Sequence, residues 1–411
     1  MNGRGLWYAE QAWLGHSADH VLIEVENGRI KSVTEDAPAP PGAVVLKGWT
    51  IPGLANVHSH AFQHMLRGAA ESGAGDFWAW RQEMYRRTDW DPADYYLYSR
   101  TVFQEMVEAG ITAVGEFHYL HRHGNELGEA LIRAASEVGI RITLIDACYL
   151  RGGLDGRPLE DAQQSFSDGD VEHWAARLDR LKDSEGVRIG AAIHSVRAVD
   201  PKSMRAVATW ARERKAPLHA HLAEQPAEVE ECRTIEGCTP AELLEREGIL
   251  GPDLTVVHAI HVDEHDISLL GANGVTVCAC PTTERDLGDR VGPLRALADA
   301  GCPLAVGSDS NAVIDILEEA RALELDQRRA TGRRVLHQPN ELLDAATRNG
   351  MRALGWEAGE LKAGMLADFV TLDQPRHMAR RQIDPAYVVF GYAVCDVSNV
   401  VVGGMTVVSE T

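Results

Sequence analysis

Over residues 1 to about 50, short apolar runs alternate with polar breaks. Val21-Leu22-Ile23-Glu24-Val25 leads through Asn27-Gly28 into Ile30 to Val33, and Ala43 to Leu46 follows. Asn-Gly between two apolar runs predicts a hairpin, because both residues accept the positive φ of a tight turn. The same pattern returns near the other end, in Ala367-Asp368-Phe369-Val370-Thr371-Leu372, Val400 to Val402, Gly403-Gly404 and Met405 to Val408. Strand-rich ends around a long middle predict one small β-sandwich domain made from residues 1–50 and 361–411 together.

The middle, residues 51–360, has another rhythm. β-branched apolar runs recur at Ile111 to Phe117, Ile140 to Tyr149, Val187 to Ser195, Pro217 to Glu224, Leu254 to Ile260, Val275 to Pro281 and Pro303 to Ser310. Stretches of helical period lie between them, among them Tyr96 to Ala109, Asn125 to Val138, Asp200 to Arg214 and Ile316 to Arg329. With the run that ends at His60, this makes eight strand candidates. Nearly continuous apolar strands alternating with helices predict a parallel sheet covered on both faces. Eight such units predict an α/β fold of the (β/α)8 TIM-like barrel type. An open doubly wound sheet is disfavoured, since no G-x-G-x-x-G follows the first strand.

The chain has 411 residues, enough for a large barrel and a smaller domain. Its formal net charge of −21 argues against nucleic acid and anionic membrane surfaces as partners. No apolar run approaches the ~20 residues of a membrane helix. Met1 to Gly5 lacks the apolar core of a signal peptide. Seven scattered cysteines, with only Cys278 and Cys280 close together, fit a reducing cytoplasm better than a disulfide framework. Cys278 and Cys280 read as core packing.

The ionisable residues collect at the ends of the predicted strands. His58 and His60 end the first, Glu116 to Tyr119 the second, and His194 to Arg197 the fourth. His219, His221 and Glu224 follow on the fifth, His258 on the sixth, and Ser308-Asp309-Ser310 on the eighth. In a barrel that rim is where chemistry is built. Residues i and i+2 of a strand share a face, so His58 and His60 can reach one ion. His58, His60, His221 and Asp309 make a good ligand set for Zn²⁺ or a similar divalent ion, with Fe²⁺ and Mn²⁺ also accommodated. His219 reads as structural. Two arginines and a tyrosine near a metal, Arg81, Arg197 and Tyr119, suggest recognition of carboxylates.

His58-x-His60, His221-x-x-Glu224, His258, Asp309, the segment Pro52-Gly53-Leu54-x-Asn56-x-His58 and the late Gly364-x-x-Ala367-Asp368-Phe369-Val370 together resemble the amidohydrolase superfamily over almost the whole chain. The resemblance implies a metal-dependent hydrolase. Binuclear members use a carboxylated lysine after strand four. Here His194 stands there, with no lysine between Lys182 and Lys202, so one metal ion is expected. By the same resemblance Asp309 takes the water's proton, Glu224 shuttles a proton to the leaving amine, and His258 orients the nucleophile.

Closer still is the likeness to the formimidoylglutamate deiminase family of histidine degradation. It rests on His58-Ser59-His60-Ala61-Phe62-Gln63, Phe77 to Arg86, Glu116-Phe117-His118-Tyr119, His194-Ser195-Val196-Arg197-Ala198-Val199, His221-Leu222-Ala223-Glu224-Gln225, Leu287-Gly288-Asp289 and Gly307-Ser308-Asp309-Ser310. It implies conversion of N-formimidoyl-L-glutamate to N-formyl-L-glutamate and ammonia with one zinc, in a homodimer. It makes Gln63, Arg81, Tyr119, His194 and Arg197 substrate residues, with the two arginines and the tyrosine on the carboxylates. Thr282 to Asp286 is more charged than that pattern, which leaves the role of the 282–290 loop open. A lid around residues 151–170 is also open. The alternatives are a deaminase of a purine or adenosine derivative, and a non-catalytic assembly protein built on the barrel.

Overall fold

The computed structural model describes residues 4–68, 77–374 and 382–409. The outermost residues of both predicted terminal segments, 1–3 and 410–411, lie outside the described residues, as do 69–76 and 375–381.

The described strands form two sheets. Four strands open the chain: β1 (Arg4–Trp13), β2 (Ser17–Glu26), β3 (Arg29–Thr34) and β4 (Val44–Pro52). Eight build the barrel: β5 (Leu54–Ser59), β6 (Ile111–His118), β7 (Arg141–Cys148), β8 (Val187–Ile193), β9 (Leu218–Leu222), β10 (Leu254–His258), β11 (Thr276–Ala279) and β12 (Leu304–Val306). Then β13 (Phe369–Leu372), β14 (Val397–Val402) and β15 (Met405–Ser409) return to the first group.

The barrel strands pair in parallel in strict sequence order, β5 to β12. Every residue of β5, β6, β7, β9, β10, β11 and β12 is buried. That is why their sequences read as continuous rather than alternating apolar runs. The ring closes where β5 meets the chain just beyond β12. There Ser59 bridges Asp309 in parallel. Asp309 N–H donates to His58 O and His60 N–H to Asp309 O, both at 2.9 Å. Gly307 permits this approach, for a Cβ there would stand 2.7 Å from both His58 N and His58 O.

The predicted helices appear at Pro92–Glu108, Glu126–Val138, Pro201–Arg214 and Ile316–Thr331. Their starts follow a local rule. Asp91 accepts the amide of Ala93 and Asp200 the amides of Lys202 and Ser203, and the proline that follows each takes the first helical position, where no amide donor is needed.

The terminal strands make a separate unit from both ends of the chain, as expected. Its seven described strands hydrogen-bond in the order β15-β14-β13-β4-β1-β2-β3. Trp7, Ile23, Val25, Leu46, Phe369 and Val401 supply its core. A buried bidentate ion pair, Arg141 to Asp368 at 2.6 and 2.9 Å, ties it to the barrel. Within 361–411, Pro385–Gly391 is helical, and Val388 and Val389 join the barrel's core.

Candidate active site

The barrel brings His58, His60, His221 and Asp309 together at its C-terminal rim, all buried. One ring nitrogen from each of the three histidines lies within 4.8 Å of the others. His58 Nε2 and His221 Nε2 are 3.1 Å apart. Asp309 Oδ1 stands 3.5 Å from both His58 Nε2 and His60 Nε2.

Backbone carbonyls fix two tautomers, because a carbonyl only accepts. His60 Nδ1–H donates to Phe117 O at 2.9 Å, and His221 Nδ1–H to His194 O at 2.9 Å. The Nε2 lone pairs therefore face the common centre, which is how outer hydrogen bonds aim metal-binding histidines. Burial lowers the basicity of all three rings, that of His60 to about 3. Burial pushes the Asp309 carboxyl up, but the hydrogen bond and charge of His58, with His258 and His60, hold it well below the ordinary carboxylate range. Neutral imidazoles and an ionised carboxylate are the forms that bind a divalent ion, so the donor set fits one.

Three side chains adjoin this centre. His258 Nε2 lies 3.7 Å from Asp309 Oδ2 and 3.7 Å from Glu224 Oε1, while His258 Nδ1–H points to Glu284 Oε1 at 3.3 Å. Burial would strip the His258 ring of its proton, yet Glu224, Glu284 and Asp309 outweigh it and raise the ring to about 10. Burial raises Glu224 to about 7, against the pull of His258 and Arg197. His258 and Asp309 adopt φ of 73° and 46°, left-handed values that cost a non-glycine residue about 1–3 kcal/mol. The surrounding seam holds Asp309 there.

That seam is a chain of buried hydrogen bonds. Asn56 Nδ2 donates to Ser308 Oγ at 2.6 Å, and Ser308 Oγ–H to Asn311 Oδ1 at 2.6 Å. Asn311 Nδ2 donates to Ser59 Oγ and to His60 O, at 3.1 and 3.0 Å. Glu116 lies beneath, accepting Ala61 N–H at 2.7 Å.

A cleft of about 580 Å³, open to solvent, rises from the centre. Gln63, Arg81, Tyr119, His194 and Arg197 all line it, with Glu224, His258 and Asp309 at its floor. Gln63 Nε2 donates to Tyr119 Oη at 2.9 Å. Arg81 lies on the helix Phe77–Tyr85, its guanidinium 5.3 Å from the Tyr85 ring centre. Arg197 is not a bare cation: its Nε donates to Glu228 Oε2 at 3.0 Å, and Nη2 is 4.0 Å from Glu224 Oε2.

Sequence reasoning missed Trp80, Tyr85, Tyr149 and Phe166 in the cleft wall and Glu228 and Glu284 behind it. Tyr149 follows β7, so the strand-end rule reaches it; Trp80 and Tyr85 lie within the Phe77 to Arg86 stretch and Glu284 within Thr282 to Asp286, whereas Phe166 and Glu228 carry no local signal. The 151–170 segment forms wall rather than standing apart: Gln163 Nε2 donates to Tyr149 Oη at 2.8 Å, and Arg151 Nη2 to Val196 O at 2.9 Å. In the 282–290 loop, Glu284 turns to His258 and Leu287 faces the cleft. His219 is buried lower in the barrel, 3.3 Å from Ala353 O. His118 and His121 sit apart with Asp146. Arg177 occupies the Asp146 carboxylate at 2.7 and 2.8 Å, so that group is a closed ion-pair network.

Among the described residues no helix is long and apolar enough to cross a membrane. The chain is 34% identical over 390 residues to a formimidoylglutamate deiminase of Pseudomonas aeruginosa, covering 89% of this chain and 85% of that protein. It is 29% identical over 395 residues to a 5-methylthioadenosine/S-adenosylhomocysteine deaminase of Natronomonas pharaonis, covering 95% and 88%. The crystal structure of an amidohydrolase from Brucella melitensis matches with a TM-score of 0.91 at 31% identity, over 99% of this chain and 95% of that one. A model of the amidohydrolase family matches residues 49–407. With that match spanning the barrel and its rim of histidines, the chain belongs to the amidohydrolase family.

Proposed function

We propose that the protein hydrolyses N-formimidoyl-L-glutamate to N-formyl-L-glutamate and ammonia, a step in histidine degradation, with one divalent ion, Zn²⁺ foremost. The observation that carries this reading is the pair Arg81 and Arg197 in the same cleft as the three histidines and Asp309. Two guanidiniums above a hydrolytic centre suit a substrate with two carboxylates. The likeness to the Pseudomonas aeruginosa deiminase supports it.

His58, His60, His221 and Asp309 would hold the ion, which when bound supplies Lewis-acid activation of water at neutral pH. Asp309 accepts a proton from the attacking water. The water oxygen bonds to the formimidoyl carbon, and the bond to the terminal nitrogen breaks. Glu224, near neutrality at about 7, carries protons to that nitrogen, so both water protons leave in ammonia. His258, held charged by its carboxylates, faces the negative charge that develops on oxygen. Arg81, Arg197 and Tyr119 bind the glutamate carboxylates, and Gln63 and His194 lie toward the formimidoyl end.

One observation favours a second reading. The aromatic wall of Trp80, Tyr85, Tyr149 and Phe166 offers stacking surface for an adenosine derivative. Ammonia release from N-formimidoyl-L-glutamate, 5-methylthioadenosine and S-adenosylhomocysteine, measured side by side, tests the proposal. Release from the first alone is expected. Release from a nucleoside and none from the first would overturn it.

A further inference from the structure

Cys278 lies in β11 and Cys280 just beyond its end, both buried. Cys278 behaves as packing, its thiol toward Ala279 O at 3.9 Å. Cys280 does not. Its Sγ, a ring nitrogen of His258 and a carboxylate oxygen of Asp309 lie within 4.8 Å of one another. Donors on one tetrahedral ion, at bond lengths of about 2.0–2.3 Å, stand about 3.3–3.8 Å apart. His258 Nε2 and Asp309 Oδ2, at 3.7 Å, already meet that spacing. The Cys280 thiol, within 4.8 Å of a donor on each, completes the set by a modest side-chain movement.

The surroundings are those of a metal ligand. His258 Nδ1–H points to Glu284 Oε1, and Cys280 N–H holds the same oxygen at 3.0 Å. A carboxylate behind an imidazole aims the other nitrogen forward. Asp309 has one oxygen for each side: Oδ1 toward His58 and His60, Oδ2 toward His258. Glu224, Glu284 and Asp309 crowd one imidazole in a buried place, an excess of negative charge that a cation relieves.

We propose that His258 Nε2, Asp309 Oδ2 and Cys280 Sγ form a second divalent-metal site for thiophilic ions, Cd²⁺ or excess Zn²⁺, and that its occupation inhibits the enzyme. On binding, the thiol S–H bond breaks as the metal–sulfur bond forms, the His258 Nε2–H bond breaks as the metal–nitrogen bond forms, and both protons pass to solvent. No electron changes hands. Sulfur makes the site selective, because thiolate prefers softer ions over Mg²⁺ or Ca²⁺. Inhibition follows because the two groups ligated are ones the proposed reaction uses. The inhibitory half rests on that reaction; the binding half does not.

The test titrates Cd²⁺ into metal-loaded protein carrying Cys395→Ser, which removes the exposed thiol. Bound ion and the thiolate-to-cadmium charge-transfer absorption are followed together. One ion beyond the resident metal is expected, with the absorption rising in step. Cys280→Ser should abolish the absorption and weaken this binding more than ~10-fold. Cys278→Ser should change neither. Absorption that survives Cys280→Ser, or that Cys278→Ser alone removes, overturns the proposal. X-ray absorption at the cadmium edge, with Cys280 intact, must show a sulfur neighbour; oxygen and nitrogen alone overturn it irrespective of how the variants fold. The expected absorption in a protein inactive on N-formimidoyl-L-glutamate would uphold the site and remove the functional reading.

Discussion

His58 Nε2 and His221 Nε2 face each other across 3.1 Å, although the two residues are 163 positions apart in the chain. The His221 proton sits on Nδ1, donated to His194 O, so a lone pair points at His58. Burial makes both rings weak bases, so a shared metal ion suits this contact better than a proton. Chelation should therefore destabilise the fold. An ion present at ~1,000 times its Kd contributes about 4 kcal/mol to the native state. Thermal melts with and without chelator check this. His221→Ala should cost more metal affinity than the ~10–100-fold that follows loss of an outer partner, read by equilibrium dialysis.

Asp309→Asn should reduce turnover by ~10²–10⁴-fold, because an amide cannot accept the water's proton. The left-handed backbone at Asp309, φ 46°, is one that asparagine also tolerates, so the fold should persist. Circular dichroism beside kinetics separates the two effects. Retained activity would take Asp309 out of the mechanism.

Arg197→Met should weaken binding of the substrate's glutamate portion by about 2–4 kcal/mol, the scale for leaving a charged partner unpaired. Part of the loss will come from Glu228, whose partner disappears. Arg197→Met with Glu228→Gln should restore stability without restoring KM. Unchanged KM and kcat/KM in the single variant would place Arg197 outside the binding step.

Glu116 gives a pH signature. Burial raises its carboxyl from 4.5 to about 8, opposed by the hydrogen bonds from Ala61 and Ser59. The folded protein then holds a proton that the unfolded chain releases between these values. Its contribution to stability is full below about 4.5 and is lost as pH rises through about 8. Glu116→Gln should flatten the fall in denaturation midpoint across that window. A slope equal to the wild type's would show that Glu116 does not titrate there.

Gly307→Ala would drive a Cβ to 2.7 Å from His58 N and O. The seam must open, at about 1–3 kcal/mol, the usual cost of overpacking. Metal content should fall with stability, since the same movement displaces His58 from Asp309. Metal analysis of the purified variant decides it.

Much of the fold was legible because its causes are local. Buried parallel strands read as continuous apolar runs, and helix starts were marked by Asp91-Pro92 and Asp200-Pro201. His58-x-His60 was legible for the same reason, since alternation along one strand sets the facing of its own side chains. Strand partnership is not local. One seven-stranded terminal sheet arises because β4 pairs with β1 on one side and with β13, over 300 residues on, on the other. Glu228 against Arg197, Glu284 behind His258 and Cys280 beside Asp309 likewise join residues that no short-range pattern relates. Sequence alone determined which chemical groups stand at the barrel rim, because strand ends and residue types are properties of the chain. Only the tertiary structure decided which nitrogen faces which oxygen, and so each group's charge, because ring closure at Ser59 and Asp309 brings distant side chains within ångströms of one another.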